Sequence, residues 1–114
     1  MIKEKRVLVI SQDVIGNDRP LGEILMKSFM GVLAESEDLP ETIIFYNSGV
    51  KLAVEEGQIL DDIKTIESKG VEVLSCGTCL GHYEMKEKLK VGKVSNMYDI
   101  VAKQMNAELI IKPC

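Results

Sequence analysis

Two cysteines three residues apart, Cys76 and Cys79, with Gly77 and Thr78 between them, are the residues of this chain best suited to covalent chemistry. Thiols so spaced can form a disulfide, share a metal, or act as nucleophile and resolving thiol on an incoming sulfur atom. The apolar run Val71-Glu72-Val73-Leu74 leads through Ser75 into them, so the pair falls at a strand-to-helix turn. Unpaired backbone N–H groups and the positive end of a helix favour a thiolate there, but the dipole's typical contribution of about 0.3–1 kcal/mol is less than one pKa unit. Further help would have to come from the second thiol or from Arg19, while Asp13 and Asp18 would oppose it.

Other readings of the same residues stay open. Free cysteine is among the most buried residue types, so the pair can also be two small core residues. Cys76, Cys79, His82 and Cys114 make four possible zinc ligands, yet a single C-x-x-C carries little zinc information and Cys114 has no partner at knuckle spacing. His82 reads as an exposed helix residue or as a partner for the Cys79 thiolate. A thioredoxin-like oxidoreductase would need a proline from a later strand beside the motif, and none occurs between Pro40 and Pro113. No P-loop, G-x-G-x-x-G or H-E-x-x-H occurs, so no phosphate cofactor or metal is assigned and no cofactor is expected.

The elements that must position the thiols follow from periodicity. The chain has 114 residues, of which 46% are hydrophobic, 28% charged and 4% aromatic, with a net charge of −4. Mean hydropathy is +0.06. This balance describes one small acidic domain, too apolar for disorder. No apolar run approaches the roughly 20 residues that a membrane helix needs, and the first residues do not form a signal peptide, so a cytoplasmic location is expected. Acidity without a basic run argues against nucleic acid as partner. Three cysteines are too few for a disulfide scaffold.

Arg6–Ile10, Thr42–Tyr46, Val71–Leu74, Val94-Ser95 and Leu109–Ile111 read as strands. Leu25, Met26, Phe29, Met30 and Leu33 predict a helix over 21–36, started by Asp18 and Pro20. A short helix over Val50–Glu55 and a second carrying Ile59, Leu60, Ile63 and Ile66, closed by Gly70, follow the second strand. Tyr83, Met85 and Leu89 predict a helix after the thiols that ends before Gly92, and Asn96 with Asp99 resembles a capping box for a helix through Ile100 and Met105. Continuous apolar strands alternating with helices predict a single domain over 1–114, a three-layer α/β/α sandwich with a mainly parallel five-stranded sheet.

Ligands of such sheets bind at the carboxyl ends of the strands. The segments there are Ser11-Gln12-Asp13, Asn47-Ser48-Gly49, the cysteine motif and Asn96-Met97-Tyr98. Asn47, Ser48 and Asn96 also suit plain helix caps.

Gly70–Leu80, with Cys76-Gly77-Thr78-Cys79-Leu80 at its end, and Val91–Tyr98 resemble the DsrE-like domain of the YedF selenium-metabolism proteins, within the DsrE/DsrF superfamily. Leu21–Phe29, Leu39-Pro40 and Ile44–Ala53 share the likeness, which thus covers nearly the whole chain. The resemblance implies a DsrEFH-like sheet in the order 4-3-2-1-5 and a homo-oligomer, often a trimer or larger. It also implies sulfur relay: Cys76 matches the cysteine that takes sulfane sulfur as a persulfide and passes it to a partner such as a TusA-like carrier. Cys79 matches only the YedF-like subgroup. Relatives of that subgroup usually carry a preceding TusA-like domain, which this chain lacks, and many transferring members have an Arg-Gly pair where this chain reads Leu80-Gly81-His82-Tyr83. In that strand order Cys114 lies three strand spacings, roughly 14 Å, from Cys76, which disfavours a shared metal.

The expected function is a sulfurtransferase-like sulfur or selenium relay on Cys76 and Cys79, with Gly77, Thr78, Asn47, Ser48, Gly49, Asn96 and Tyr98 around the substrate. The alternatives are a non-catalytic oligomeric partner-binding subunit of the same fold and a redox- or metal-sensing thiol protein.

Overall fold

The computed structural model describes residues 2–114, with side chains from residue 5 onward. Strands β1 (Ile2–Ile10), β2 (Leu39–Phe45), β3 (Glu72–Cys76), β4 (Lys93–Ser95) and β5 (Leu109–Ile111) alternate with helices α1 (Arg19–Glu35), α2 (Gln58–Ser68), α3 (Gly77–His82) and α4 (Met97–Met105). The short helix expected over Val50–Glu55 is a 3-10 stretch, Asn47–Ala53, and a second one, Lys86–Lys88, follows α3. Every strand pair is parallel and the order is β4-β3-β2-β1-β5, as expected. Ile43, Ile44 and Phe45 are fully buried, which explains why β2 reads as a continuous apolar run rather than an alternating one. No helix among the described residues is long and apolar enough to cross a membrane.

Strand side chains alternate between two faces, and the faces are covered unequally. Leu8, Ile10, Ile43, Phe45 and Val73 pack with Met26 and Met30 of α1, Leu60, Ile63 and Ile66 of α2, and Leu80 of α3. Val7, Val9, Ile44 and Cys76 point to the other face, where Ile100 of α4 meets them. Each fully buried Leu, Ile or Met side chain contributes about 1.5–3 kcal/mol, so the first face supplies most of the stability. Polar contacts hold α4 in place. The Asn96 side chain accepts the Asp99 N–H at 2.9 Å, and Lys103 Nζ meets a Glu72 carboxylate oxygen at 2.9 Å. The Thr42 hydroxyl donates to Glu72 at 3.3 Å. Burial alone would raise the Glu72 pKa, but the hydrogen bond and charge of Lys103, with Lys93 nearby, hold the carboxyl below its usual range. On its outer side α4 leaves Met97, Tyr98, Val101 and Met105 exposed.

The boundaries of α1 and α2 follow the expected signals. Asp18 caps α1 by accepting the Leu21 N–H at 3.2 Å with Pro in the first turn, and Gly70 takes φ +100° just past α2. β1 starts earlier than its apolar run because its pairing with β2 resumes at Ile2 beyond a register shift, beside which Lys5 has φ 63°.

The helix after the thiols is much shorter than Tyr83, Met85 and Leu89 imply. It stops at His82, where the Glu84 N–H bonds to the Gly81 carbonyl at 3.1 Å and the Met85 N–H to the Leu80 carbonyl at 2.7 Å. With Glu84 at φ 57°, this is a Schellman end built on a non-glycine residue, so the sequence carries no glycine to mark it. Left-handed backbone costs a non-glycine residue on the order of 1 kcal/mol, only partly offset by the greater entropy a glycine loses on folding. Glu84→Gly should therefore raise stability by about 0.5 kcal/mol, read as a higher urea midpoint at unchanged slope. A lower midpoint would contradict the assignment of the helix end.

Candidate thiol site

Cys76 ends β3 and directly precedes α3, with no loop between them. Its neighbours Ser75 and Leu74 pair with Phe45 and Ile44 of β2 on one side and with Val94 and Lys93 of β4 on the other, so the backbone that carries the thiol is interior to the sheet. The Cys76 side chain is 2% exposed, among Val7, Val9, Ile44 and Ile100. Gly77 opens α3 against the end of β4, where a Cβ would lie 3.1 Å from both the Ser95 carbonyl oxygen and Val94 Cγ1. Close packing thus accounts for the glycine inside the motif.

One helical turn on, Cys79 is half-buried and packs against both faces of the core at the end of the sheet. Its sulfur accepts the backbone N–H of Asn47 at 3.0 Å. Asn47 stands at φ 52°, the left-handed region that asparagine tolerates better than most residues, and this aims its N–H across at the thiol. The donor that reaches the site therefore comes from the turn after β2. Burial pushes the Cys79 thiol pKa up, the neighbouring Cys76 sulfur within hydrogen-bonding reach adds to the rise, and the Asn47 N–H opposes it. Both thiols are free.

The turns after β1 and β2 are locked together beside the pair. Gly49 is buried and a Cβ there would collide with the Ile10 carbonyl oxygen. The Ser48 hydroxyl accepts the Asp13 N–H at 3.2 Å, and the Asn47 side-chain oxygen accepts the Ser48 N–H at 2.8 Å. Asp13 in turn takes both Arg19 nitrogens, at 2.9 and 3.3 Å. Burial would raise the Asp13 pKa, but the Arg19 hydrogen bond and charge bring it below the ordinary value. Arg19 is thus committed to Asp13 rather than to a thiol.

The structure gathers Cys76, Cys79, Gly77, Asn47, Ser48 and Gly49 along one end of the sheet, and spreads the rest. Thr78 is exposed on α3, Asn96 is used as the cap of α4, and the Tyr98 side chain is 89% exposed on the outside of α4. His82 packs its ring edge-on against Tyr83 at 5.0 Å, and Lys51 lies over the same ring at 4.6 Å. Cys114 stays with the end of β1: its carbonyl accepts from Ser11 at 3.1 Å and its thiol faces the Gln12 carbonyl at 3.8 Å. Among the described residues no three of His, Cys, Asp and Glu converge as metal ligands. Sequence reasoning missed Tyr46 and Lys112, which with Ser11, Gln12, Asp13, Asn47 and Ser48 line a polar crevice of about 550 Å³ that shares Asn47 with the Cys79 contact. Their position just past a strand end is the signal that could have found them.

A sequence model of the DsrE/DsrF-like family matches residues 13–113. The chain belongs to the DsrE/DsrF-like family. Three solved structures share the fold of this DsrE/DsrF-like chain. The ychN protein from E. coli is 13% identical with a TM-score of 0.67, covering 96% of this chain and 99% of its own. MTH1491 from Methanobacterium thermoautotrophicum, described as a protein of unknown function, is 22% identical with a TM-score of 0.66, covering 97% and 100%. BT1422 from Bacteroides thetaiotaomicron, described in the same way, is 13% identical with a TM-score of 0.65, covering 95% and 94%. No curated protein sequence matches the chain.

The raised Cys79 pKa gives a pH test. In a Cys114→Ser background, the iodoacetamide rate of Cys79, resolved by peptide mass, should reach half-maximum above the free-thiol value of about 8.5. Adding Cys76→Ser should lower that midpoint, because one of the two causes of the rise is removed. A midpoint below the free-thiol value in the dithiol chain would contradict the geometry.

Proposed function

We propose that this chain is a sulfur-relay protein in which Cys76 accepts sulfane sulfur and Cys79 resolves the resulting persulfide. The observation that carries this reading is a pair of free thiols at the end of an interior strand, one bearing a backbone N–H donor, in a chain of the DsrE/DsrF-like family. The Cys76 thiolate attacks the terminal sulfur of a persulfide R–S–SH. A bond forms between the Cys76 sulfur and that terminal sulfur, the original S–S bond breaks, and R–S⁻ leaves and takes up a proton. Cys76 then carries –S–SH. Cys79 keeps its proton until this point, since burial and the adjacent sulfur disfavour its charge. When it ionises, it can attack the inner sulfur, expel HS⁻ and leave a Cys76–Cys79 disulfide, so the sulfur is reduced as the dithiol is oxidised. Alternatively the terminal sulfur passes to a thiol of a partner protein, for which a TusA-like carrier has the right chemistry. Selenium can follow the same steps as sulfur.

A second reading has its own support. The outer stripe of α4 leaves Met97, Tyr98, Val101 and Met105 side by side and exposed, Met105 at 80%, and such a stripe favours a homo-oligomer or a partner-binding subunit of the same fold.

Intact mass spectrometry after incubation with a persulfide donor separates the two. Cys79→Ser should keep a gain of one sulfur atom that Cys76→Ser does not show, and the wild-type chain should show that gain early and then the loss of two hydrogens that marks the Cys76–Cys79 disulfide. Absence of any gain in all three, with both thiols slow to alkylate, would remove the relay reading and leave the binding subunit.

A further inference from the structure

The β1 and β5 strands lie side by side although the chain visits β2, β3 and β4 between them. Chain connections therefore diverge between β1 and β5, on opposite sides of the sheet, and parallel α/β sheets bind ligands in the crevice outside that point. The polar crevice described above opens there, lined by Ser11, Gln12 and Asp13 after β1, Tyr46, Asn47 and Ser48 after β2, and Lys112 after β5. At about 550 Å³ it falls within the size range of small-molecule sites.

Its hydrogen-bonding capacity is unbalanced. The Asn47 side-chain oxygen is occupied by the Ser48 N–H, which turns the Asn47 amide nitrogen outward with no protein partner among the described residues. The Ser48 hydroxyl accepts from Asp13, which leaves its proton to donate. Lys112 makes no ion pair among the described residues, whereas the Asp13 carboxylate is neutralised by Arg19 and the Ser11 hydroxyl is used by Cys114. Arg19 also lines the crevice but is paired with Asp13, so the uncommitted charge is the Lys112 ammonium, and the Asn47 amide, the Ser48 and Tyr46 hydroxyls and the Gln12 and Asn17 amides add neutral donors, a set that suits a carboxylate. Asn47 also joins this crevice to the thiols, because its backbone N–H is the donor to Cys79 at 3.0 Å.

We infer that the crevice binds the carboxylate of a small organic persulfide, so that Lys112, Ser48 and Asn47 hold the carrier molecule while its sulfur atoms extend past Asn47 toward the thiol pair. The inference rests on the relay reading for its chemistry but not for its binding site. The donor is then a low-molecular-weight thiol compound with a carboxylate, rather than inorganic polysulfide. Specificity arises at a position remote from the reacting sulfur.

Cysteine persulfide and cysteamine persulfide differ only by the carboxylate, which makes them matched probes. Wild-type protein should load from the first faster than from the second, and Lys112→Glu should reduce the ratio of the two rates by about five- to tenfold. An unchanged ratio in the variant would overturn the inference while leaving the relay intact. Binding is read without any sulfur transfer by titrating ¹⁵N-labelled Cys76→Ser/Cys79→Ser protein with S-methylcysteine and with S-methylcysteamine. Saturable shifts of the Asn47 and Ser48 amides with the first compound alone support the site even if no donor loads the wild-type chain. No shifts, or equal shifts with both compounds, count against it.

Discussion

Because all five strands run in one direction, every strand delivers its last residue to the same edge of the sheet, and the chemistry of this protein depends on that constraint. Parallel pairing sets β1, β2 and β3 side by side, so residues remote in sequence become neighbours: Asn47 and Cys79 are 32 residues apart yet share a hydrogen bond. An antiparallel arrangement would send alternate loops to opposite ends and separate the thiols from the turns that support them. The cost is that the strands need burial on both faces, which fixes the apolar character of β2 and β3.

Within that frame the thiol pair is held by close approaches rather than by charge. Cys76 is buried among Val7, Val9, Ile44 and Ile100, and α3 has only six residues, too short to supply much of a helix dipole. Gly77 lets α3 sit against β4, and Gly49 lets the turn after β2 sit against the end of β1. The second approach brings Asn47 over Cys79. Arg19, the obvious cation to stabilise a thiolate, is committed to Asp13. What distinguishes the two sulfurs is their degree of burial and a single backbone donor.

Most of the fold was legible in the sequence because its signals are local. Apolar runs, Asp18 with Pro20, Gly70, and the Asn96–Asp99 cap mark elements that the structure contains at nearly those places. The length of α3 was not legible, since its end is built on Glu84 in a conformation that glycine usually signals. The thiols were legible from their spacing. The polar crevice was legible only in part: Ser11, Gln12, Asp13, Asn47 and Ser48 fall in strand-end segments, whereas Tyr46 and Lys112 carry no motif, and Lys112 joins them only because β5 returns beside β1. Tyr98, grouped with the strand ends by sequence position, lies outside on α4 because a helix starting at Met97 turns it away from the sheet.

The central claim is that Cys76 and Cys79 act on one sulfur atom as a unit. A single-turnover measurement of sulfide release tests it most directly: protein loaded with sulfane sulfur is freed of donor, and free sulfide and disulfide are quantified over time. The account predicts one sulfide per loaded chain, formed together with an intramolecular Cys76–Cys79 disulfide, and a stable persulfide in Cys79→Ser. Sulfide release at the same rate from Cys79→Ser would contradict it.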